Sequence, residues 1–222
     1  MNTNFTQYEQ PGVTVDLVIF TVDDKKLKVL LVRRASEPFE GYWSIPGGFL
    51  QKGESLEDAA SRVMAEKTGV REVYLEQLYT FGKPDRDPRA RIITVVYFAL
   101  IPWKKLNQPG SKKISDLDWF SVDDVPELAF DHLEILRRAV TRLRAKVSYS
   151  SIVYGLLPEA FRLSDLQKMY EIIIGAQLDK RNFRKRMLAT GLLEETGKKD
   201  MNGAHRPAML YQFKKREVVF FD

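Results

Sequence analysis

Two stretches of this sequence hold side chains that could do chemistry. The first is GFLQKGESLEDAASRVMAEKTGV, from Gly48 to Val70. It reads as a glycine loop leading into a helix that bears carboxylates. Acids three and four positions apart on a helix share one face, and hard divalent cations take oxygen ligands. Such a face could hold a metal ion against a phosphate. Where further acids would line up, however, the chain places Val63 and Lys67. One carboxylate, Glu66, does not build a multi-metal cluster, and an ammonium group repels a divalent ion at close range.

The second stretch is LDKRNFRKRMLATGLLEETG, from Leu178 to Gly197. Phe183 and Met187 are four apart and can pin a helix to a core. Lys180, Arg181, Asn182, Arg184 and Lys185 are then left for another partner. Arginine reads guanine edges and asparagine pairs with adenine in the major groove of DNA. A helix N-terminus suits a backbone phosphate. The polar loop GKKDMNGAHRPA that follows adds Lys198, Lys199, His205 and Arg206 as the tip of a wing.

The rest of the chain must position these groups. Its 222 residues carry a net charge of +5, and 44% are hydrophobic, enough for a sizeable core. Residues 151–222 hold 13 Lys/Arg against 9 Asp/Glu, whereas residues 1–150 hold 22 against 21. The basic excess therefore sits in the last third and points to a polyanionic partner there. There is no cysteine, so disulfide and thiolate chemistry are excluded. The N-terminus lacks the pattern of a signal peptide. The longest nearly apolar run, IITVVYFALIPW, is too short to span a membrane. These features predict a cytoplasmic protein without a membrane partner.

Val13–Thr21 and Lys28–Arg33 read as strands joined by a hairpin turn in VDDKK. Ser55 to Thr68 is helical, capped by Ser55 and stopped by Gly69. Strand-like runs follow at Val73–Phe81, Ile92–Ile101 and Leu117–Phe120, then a strong helix from Asp131 to Lys146. This order predicts an α+β or α/β sandwich over about residues 10–147. A boundary falls in VSYSSIVYGLLP. Beyond it, Ser164 is expected to cap SDLQKMYEIIIG and Asp179 to cap DKRNFRKRMLATG. LLEET and MLYQF then read as two strands. Helix, turn, helix and two-stranded wing is a winged helix-turn-helix.

The first stretch resembles the Nudix box, whose signature is Gly, five residues, Glu, seven residues, then Arg-Glu-apolar-x-Glu-Glu-x-Gly-apolar. Gly48, Glu54, Arg62, Met64, Glu66, Gly69 and Val70 match it in register. The resemblance implies that metal-holding glutamates belong at positions 63, 66 and 67. Only Glu66 is present, so neither a resident metal or cofactor nor catalytic residues are expected. Such a domain is expected to bind a nucleotide-like ligand rather than cut it. Candidate ligand-binding residues around the pocket are Arg34, Trp43, Phe49, Arg62, Glu66, Lys67, Phe81, Asp85, Arg86 and Arg89. Lys67 could meet a phosphate directly, aromatics could stack on a base, and arginines could grip a pyrophosphate.

Taken whole, the chain resembles the Nudix-related transcriptional regulators. AFDH before the long helix, LDKRNFRKR and RPAMLYQF are the landmarks. The resemblance implies a Nudix α/β/α sandwich over residues 1–149 and a winged helix-turn-helix over residues 150–222. It further implies a homodimer that represses NAD-metabolism genes at a palindromic double-stranded operator and is released by ADP-ribose or a phosphorylated sugar. Regulation of sugar pathways and hydrolysis of ADP-ribose by a degenerate box are the competing readings, and an RNA-binding or adaptor role is a third. His132 is expected to serve in helix capping and packing.

Overall fold

The computed structural model describes residues 7–106, 116–200 and 207–221. Strand β1 (Gly12–Asp23) turns into β2 (Lys26–Arg33) through Asp24 and Lys25, with φ of +48° and +58°. Two left-handed residues at a two-residue turn match the right-handed twist of the strands they join. Next come β3 (Trp43–Ser44), β4 (Gly47–Phe49), α1 (Leu56–Thr68), β5 (Glu76–Phe81), β6 (Ile92–Leu100), the single turn α2 (Trp103–Leu106), β7 (Leu117–Ser121) and α3 (His132–Lys146). A short 3-10 helix at Ile152–Leu156 leads to α4 (Leu163–Ile174), α5 (Lys180–Ala189), β8 (Leu193–Asp200) and β9 (Ala208–Phe213).

The first seven strands form one sheet with main order β3-β2-β1-β6-β5, in which β1 and β6 run parallel. β4 pairs with the first half of β1 and β2 with the second half, while β7 extends the sheet beyond β2. β1 is therefore hydrogen-bonded along both edges, and helices cover both its faces. Its alternate residues Val15, Leu17 and Ile19 pack against Ala59, Ala60, Val63 and Met64 of α1. Val18 and Phe20 point the other way, into the core that holds Ile135, Leu136, Ala139 and Leu143 of α3. Period two in the strand and 3.6 in the helices thus produce the expected α/β/α sandwich.

The second core continues without a break into the C-terminal part: Leu166, Tyr170, Ile173, Phe183, Met187, Tyr211 and Phe213 belong to it. α4, α5 and the β8–β9 hairpin form the expected winged helix. Three local expectations need correction. The N-cap of α4 is Arg162 and not Ser164. The Asp165 carboxylate accepts the Arg162 N–H at 3.3 Å, so the helix begins at Leu163, which is buried. Gln167 instead donates to the Leu178 carbonyl and to Glu171, which fixes the turn between α4 and α5. Lys198 and Lys199 lie on β8 rather than in a loop, because the ladder resumes at Lys199 after an irregularity that follows Glu195. β5 starts at Glu76 and not at Val73; Val73 and Leu75 pack on the α1 side ahead of it.

The segment joining β4 to α1 is held by close contacts. A Cβ at Gly47 would stand 1.9 Å from Asp16 Oδ1 and 2.9 Å from the Val15 carbonyl. Asp16 is buried and cannot swing away, because Thr94 donates to its Oδ2 at 2.7 Å. Gly48 is less crowded, with Val63 Cγ2 the nearest atom at 3.4 Å. Further on, Arg62 of α1 reaches back to Glu54 through Nε at 2.7 Å and Nη2 at 2.9 Å, and to the Phe49 carbonyl at 3.1 Å. Ser55 caps α1 by accepting the Asp58 N–H, and Gly69 ends it with φ +73°.

Two outcomes follow. Gly47→Ala should destabilise the protein by about 1–3 kcal/mol in urea unfolding, as overpacking does; Gly48→Ala should cost clearly less. The Glu54 carboxyl is held down at about 2, against an ordinary 4.5, mainly by its hydrogen bonds from Arg62. A depressed folded-state value contributes stability that is present above the unfolded value and is lost as pH falls toward the folded one. Glu54→Gln should therefore flatten the fall in melting temperature between pH 4.5 and pH 2 relative to wild type.

Candidate functional site

The box helix α1 places the three metal positions of the resemblance very differently. Val63 is fully buried among Ala59, Ala60 and Met64. Glu66 is exposed and faces Arg62 at 3.5 Å. Lys67 is half-buried on the same helix. One carboxylate, already paired with an arginine, and one ammonium do not fit a divalent cluster. Among the described residues no group of three or more His, Asp or Glu is placed to hold a metal ion. Arg62 is occupied with Glu54 and the Phe49 carbonyl, and the Phe49 ring is half-exposed beside it.

A second cluster forms where three loops meet at the start of α3. Arg34 follows β2, Arg86 and Arg89 lie between β5 and β6, and Phe130 and Asp131 precede His132. Arg86 is buried and makes a two-pronged bridge to Asp131 at 2.7 and 2.9 Å. Arg89 does the same with Asp87 at 2.7 and 2.9 Å, and this hydrogen bonding holds the Asp87 carboxyl below its ordinary range. The guanidinium carbons of Arg34 and Arg89 lie 4.8 and 5.6 Å from the Phe130 ring centre. Phe39 meets the same ring edge-on at 4.8 Å. Asp85 is exposed in the loop nearby.

The other predicted aromatics are packed inside. Trp43 is partly buried and meets Phe120 edge-on at 4.8 Å. Phe81 is buried at the end of β5, next to Tyr79. His132 is buried too. Its Nδ1 accepts the Ile45 N–H at 2.9 Å, and burial pushes its pKa down, so the ring is neutral. It packs, as expected, but does not cap α3: Asp131 stands at the N-cap position and makes no side-chain cap bond, its carboxylate being turned to Arg86. Sequence reading did not single out Phe39, Phe130 or Asp87. The only written signal for Phe130 is its place in AFDH; its φ of +55° is visible in the fold alone.

The basic helix α5 is built as expected. Asp179 caps it by accepting the Asn182 N–H at 2.8 Å, and Phe183 and Met187 are its buried anchors. Lys180, Arg181, Asn182, Arg184 and Lys185 are all exposed. Arg184 Nη2 donates to the Tyr211 hydroxyl at 3.4 Å, which orients it toward the wing. Lys198 and Lys199 are exposed on β8, while His205 and Arg206 lie outside the described residues. The two clusters are mechanically joined. α3 starts just after Asp131 and ends against the winged helix, where Arg144 Nε donates to the Ile173 carbonyl at 3.1 Å and Arg186 of α5 donates to the Ser148 carbonyl. A separate groove of about 1100 Å³ lies between Trp103, Tyr74, Tyr154 and Arg216; none of the candidate residues lines it.

Comparison with known proteins finds two families along the chain. The NUDIX domain family matches residues 10–139, and the NrtR DNA-binding winged helix domain matches residues 153–213. The ADPR responsive transcriptional repressor NtrR of Acinetobacter baylyi is 40% identical over 219 residues, covering 97% of this chain and 87% of that protein. Shewanella oneidensis NrtR, solved with a 27mer DNA, is 41% identical with a TM-score of 0.83, covering 91% of this chain and 93% of that one. The NUDIX domain of the same Shewanella protein, solved with ADP ribose, is 40% identical with a TM-score of 0.54, covering 64% of this chain and 94% of that one. A Nudix domain and an NrtR winged helix in one chain, related along nearly its whole length to NtrR, place this chain in the NrtR family of Nudix-related transcriptional regulators.

Proposed function

We propose that the protein is a transcriptional repressor of NAD-metabolism genes that binds a palindromic operator as a homodimer in the cytoplasm and is released by ADP-ribose. One observation carries the reading: the Nudix domain with Val63 and Lys67 in its box is joined, through α3, to an exposed basic helix anchored by two buried side chains. The relatedness to a repressor responsive to ADP-ribose supports it. Among the described residues no helix is long and apolar enough to cross a membrane.

In this reading α5 enters the major groove, and two copies read half-sites one helical turn apart, about 34–36 Å. The Nudix domain senses rather than cuts. An effector weakens operator binding only if it favours a geometry that DNA does not, and the coupling is reciprocal. α3 is the natural carrier. Its 15 residues span roughly 22 Å at 1.5 Å per residue. One end meets the Arg34–Arg89–Phe130 cluster and the other holds α4 and α5.

ADP-ribose should raise the melting temperature and release a promoter-derived palindrome in fluorescence anisotropy. With magnesium or manganese it should stay intact. Turnover on the order of 1 per second would make the protein a hydrolase. Response to a free pentose but not to ADP-ribose would make it a sugar regulator.

The DNA face gives a second outcome. Arg181→Ala and Arg184→Ala should each cost about 1–3 kcal/mol per half-site when the side chain reads a base, and should relax specificity at one position. Lys198→Ala should weaken specific and scrambled duplexes alike and flatten the salt dependence. If both arginine variants bind the operator like wild type, α5 is not the reading helix.

A further inference from the structure

Resting on the repressor reading, we infer that Tyr211 and Glu195 of the wing are positioning residues: they hold the guanidinium of Arg184 in its reading direction, so that the wing sets sequence specificity through a side chain of α5. The support is a relay of hydrogen bonds. Arg184 Nη2 donates to the Tyr211 hydroxyl at 3.4 Å, and that hydroxyl donates to Glu195 Oε1 at 2.9 Å. A phenol has one proton to give and lone pairs left to accept. With its proton engaged by Glu195, the oxygen leaves its lone pairs to the arginine. Burial, and then the bond to Glu195, push the Tyr211 pKa up, which keeps that proton on the oxygen. Among the described residues Lys180, Arg181 and Lys185 make no side-chain hydrogen bond or ion pair, and Arg186 turns away to the Ser148 carbonyl. Of the exposed cations on α5, Arg184 is thus the one tied to the wing.

The relay starts from a fixed frame. Tyr211 is buried, and its backbone N–H and carbonyl both pair with Phe161, at 2.8 and 2.9 Å. Glu195 is its direct cross-strand partner, at the last regular pair before the β8 ladder slips, so both side chains stand on one face of the hairpin. Arg162 reaches Asp200 at 2.8 Å and fixes the far end of β8 to the start of α4. The core does not need the hydroxyl. Phe213, two residues on along the same face, is buried in the same core with a plain ring. The phenol oxygen serves its two polar partners instead. An exposed arginine has many rotamers, and ordering it on binding weakens the complex. Holding the fork beforehand favours the one geometry that meets a base edge over the many that meet a phosphate. The exposed Glu195 carboxylate adds to the discrimination, since it stands on a face that would otherwise attract the backbone of any sequence.

The test uses the full-length protein, with the promoter-derived palindrome and a scrambled duplex at two salt concentrations in fluorescence anisotropy. Tyr211→Phe keeps the ring and removes the oxygen. It should weaken operator binding about fivefold, leave the scrambled duplex within about twofold and keep the salt slope, since no phosphate contact is lost. Glu195→Ala should lower the operator-to-scrambled ratio to a similar degree. Glu195→Gln should restore operator affinity, because the amide oxygen still accepts from the hydroxyl, while binding scrambled DNA more tightly than wild type. In the Arg184→Ala background Tyr211→Phe should change operator binding by no more than about twofold, the sign of two groups acting as one. If Tyr211→Phe weakens both duplexes alike, or weakens the operator by the same factor with and without Arg184, its role is the packing of the wing and the relay falls. If either Tyr211→Phe or Glu195→Ala binds the operator like wild type, the relay falls as well. If Arg184→Ala binds like wild type while Arg181→Ala does not, the relay falls and α5 stands as the reading helix. If the wild-type protein does not distinguish the two duplexes, the relay and the repressor reading fall together. If Tyr211→Phe does not fold, Glu195→Ala, at an exposed site, decides in the same cycle with Arg184→Ala.

Discussion

The anchoring of α3 at both ends is the interaction on which the rest of this molecule depends. At its N-terminus the buried Arg86–Asp131 bridge ties the helix to the loop between β5 and β6, and His132 ties it to the backbone of Ile45. Buried charges of this kind are tolerated only when paired and hydrogen-bonded. At its C-terminus Lys146, itself buried, reaches Glu76 at 2.8 Å, while Arg144 and the Ser148 carbonyl take hold of α4 and α5. Between the two ends Ile135, Leu136, Ala139 and Leu143 fill the core under the sheet. The helix is thus part of the Nudix sandwich and of the winged helix's foundation at once.

The box keeps its frame although two of its residues depart from the Nudix signature. Its frame is intact: Gly47 lies against Asp16, Arg62 clips the loop through Glu54, and Ser55 and Gly69 bound α1. Position 63 faces the sheet, where valine packs at no cost in desolvation. A carboxylate there would need a cation beside it, and the nearest substitute in the helix, Lys67, is a monovalent group on a flexible stem. The fold therefore stands with valine at position 63 and lysine at position 67.

Much of this was legible in the chain. The hairpin at Asp24–Lys25, the caps Ser55, Asp179 and Gly69, and the anchors Phe183 and Met187 all follow from local rules, since each depends on residues a few positions apart. The same holds for the Nudix register, which is a fixed spacing. The misses have another origin. Arg162 displaced Ser164 as the cap because Asp165 reached back to it. Lys198 and Lys199 joined a strand because β9 offered a partner. Trp43 and Phe81, aromatic and expected around the pocket, looked like stacking platforms, but Phe120 and Tyr79 are their neighbours. Nothing in the order of residues tells that Phe39 and Phe130, 91 positions apart, share a wall.

Charge is distributed differently in the two halves. In the Nudix half most arginines in the core and the loops are answered: Arg62 by Glu54, Arg86 by Asp131, Arg89 by Asp87. In the winged helix the basic side chains of α5 face solvent. The junction between them is braced rather than loose. Ser151 donates its N–H to the Val219 carbonyl and its hydroxyl accepts from the Val219 N–H, Phe221 donates to the Tyr149 carbonyl, and Tyr149 stacks on Phe220. A joint fixed from both sides, over a core continuous through both halves, does not bend by small degrees; packed interfaces switch between discrete arrangements. α3 is thus held at its start by the loop cluster and at its end by α4 and α5, with the exposed arginines of α5 on the far side of that joint.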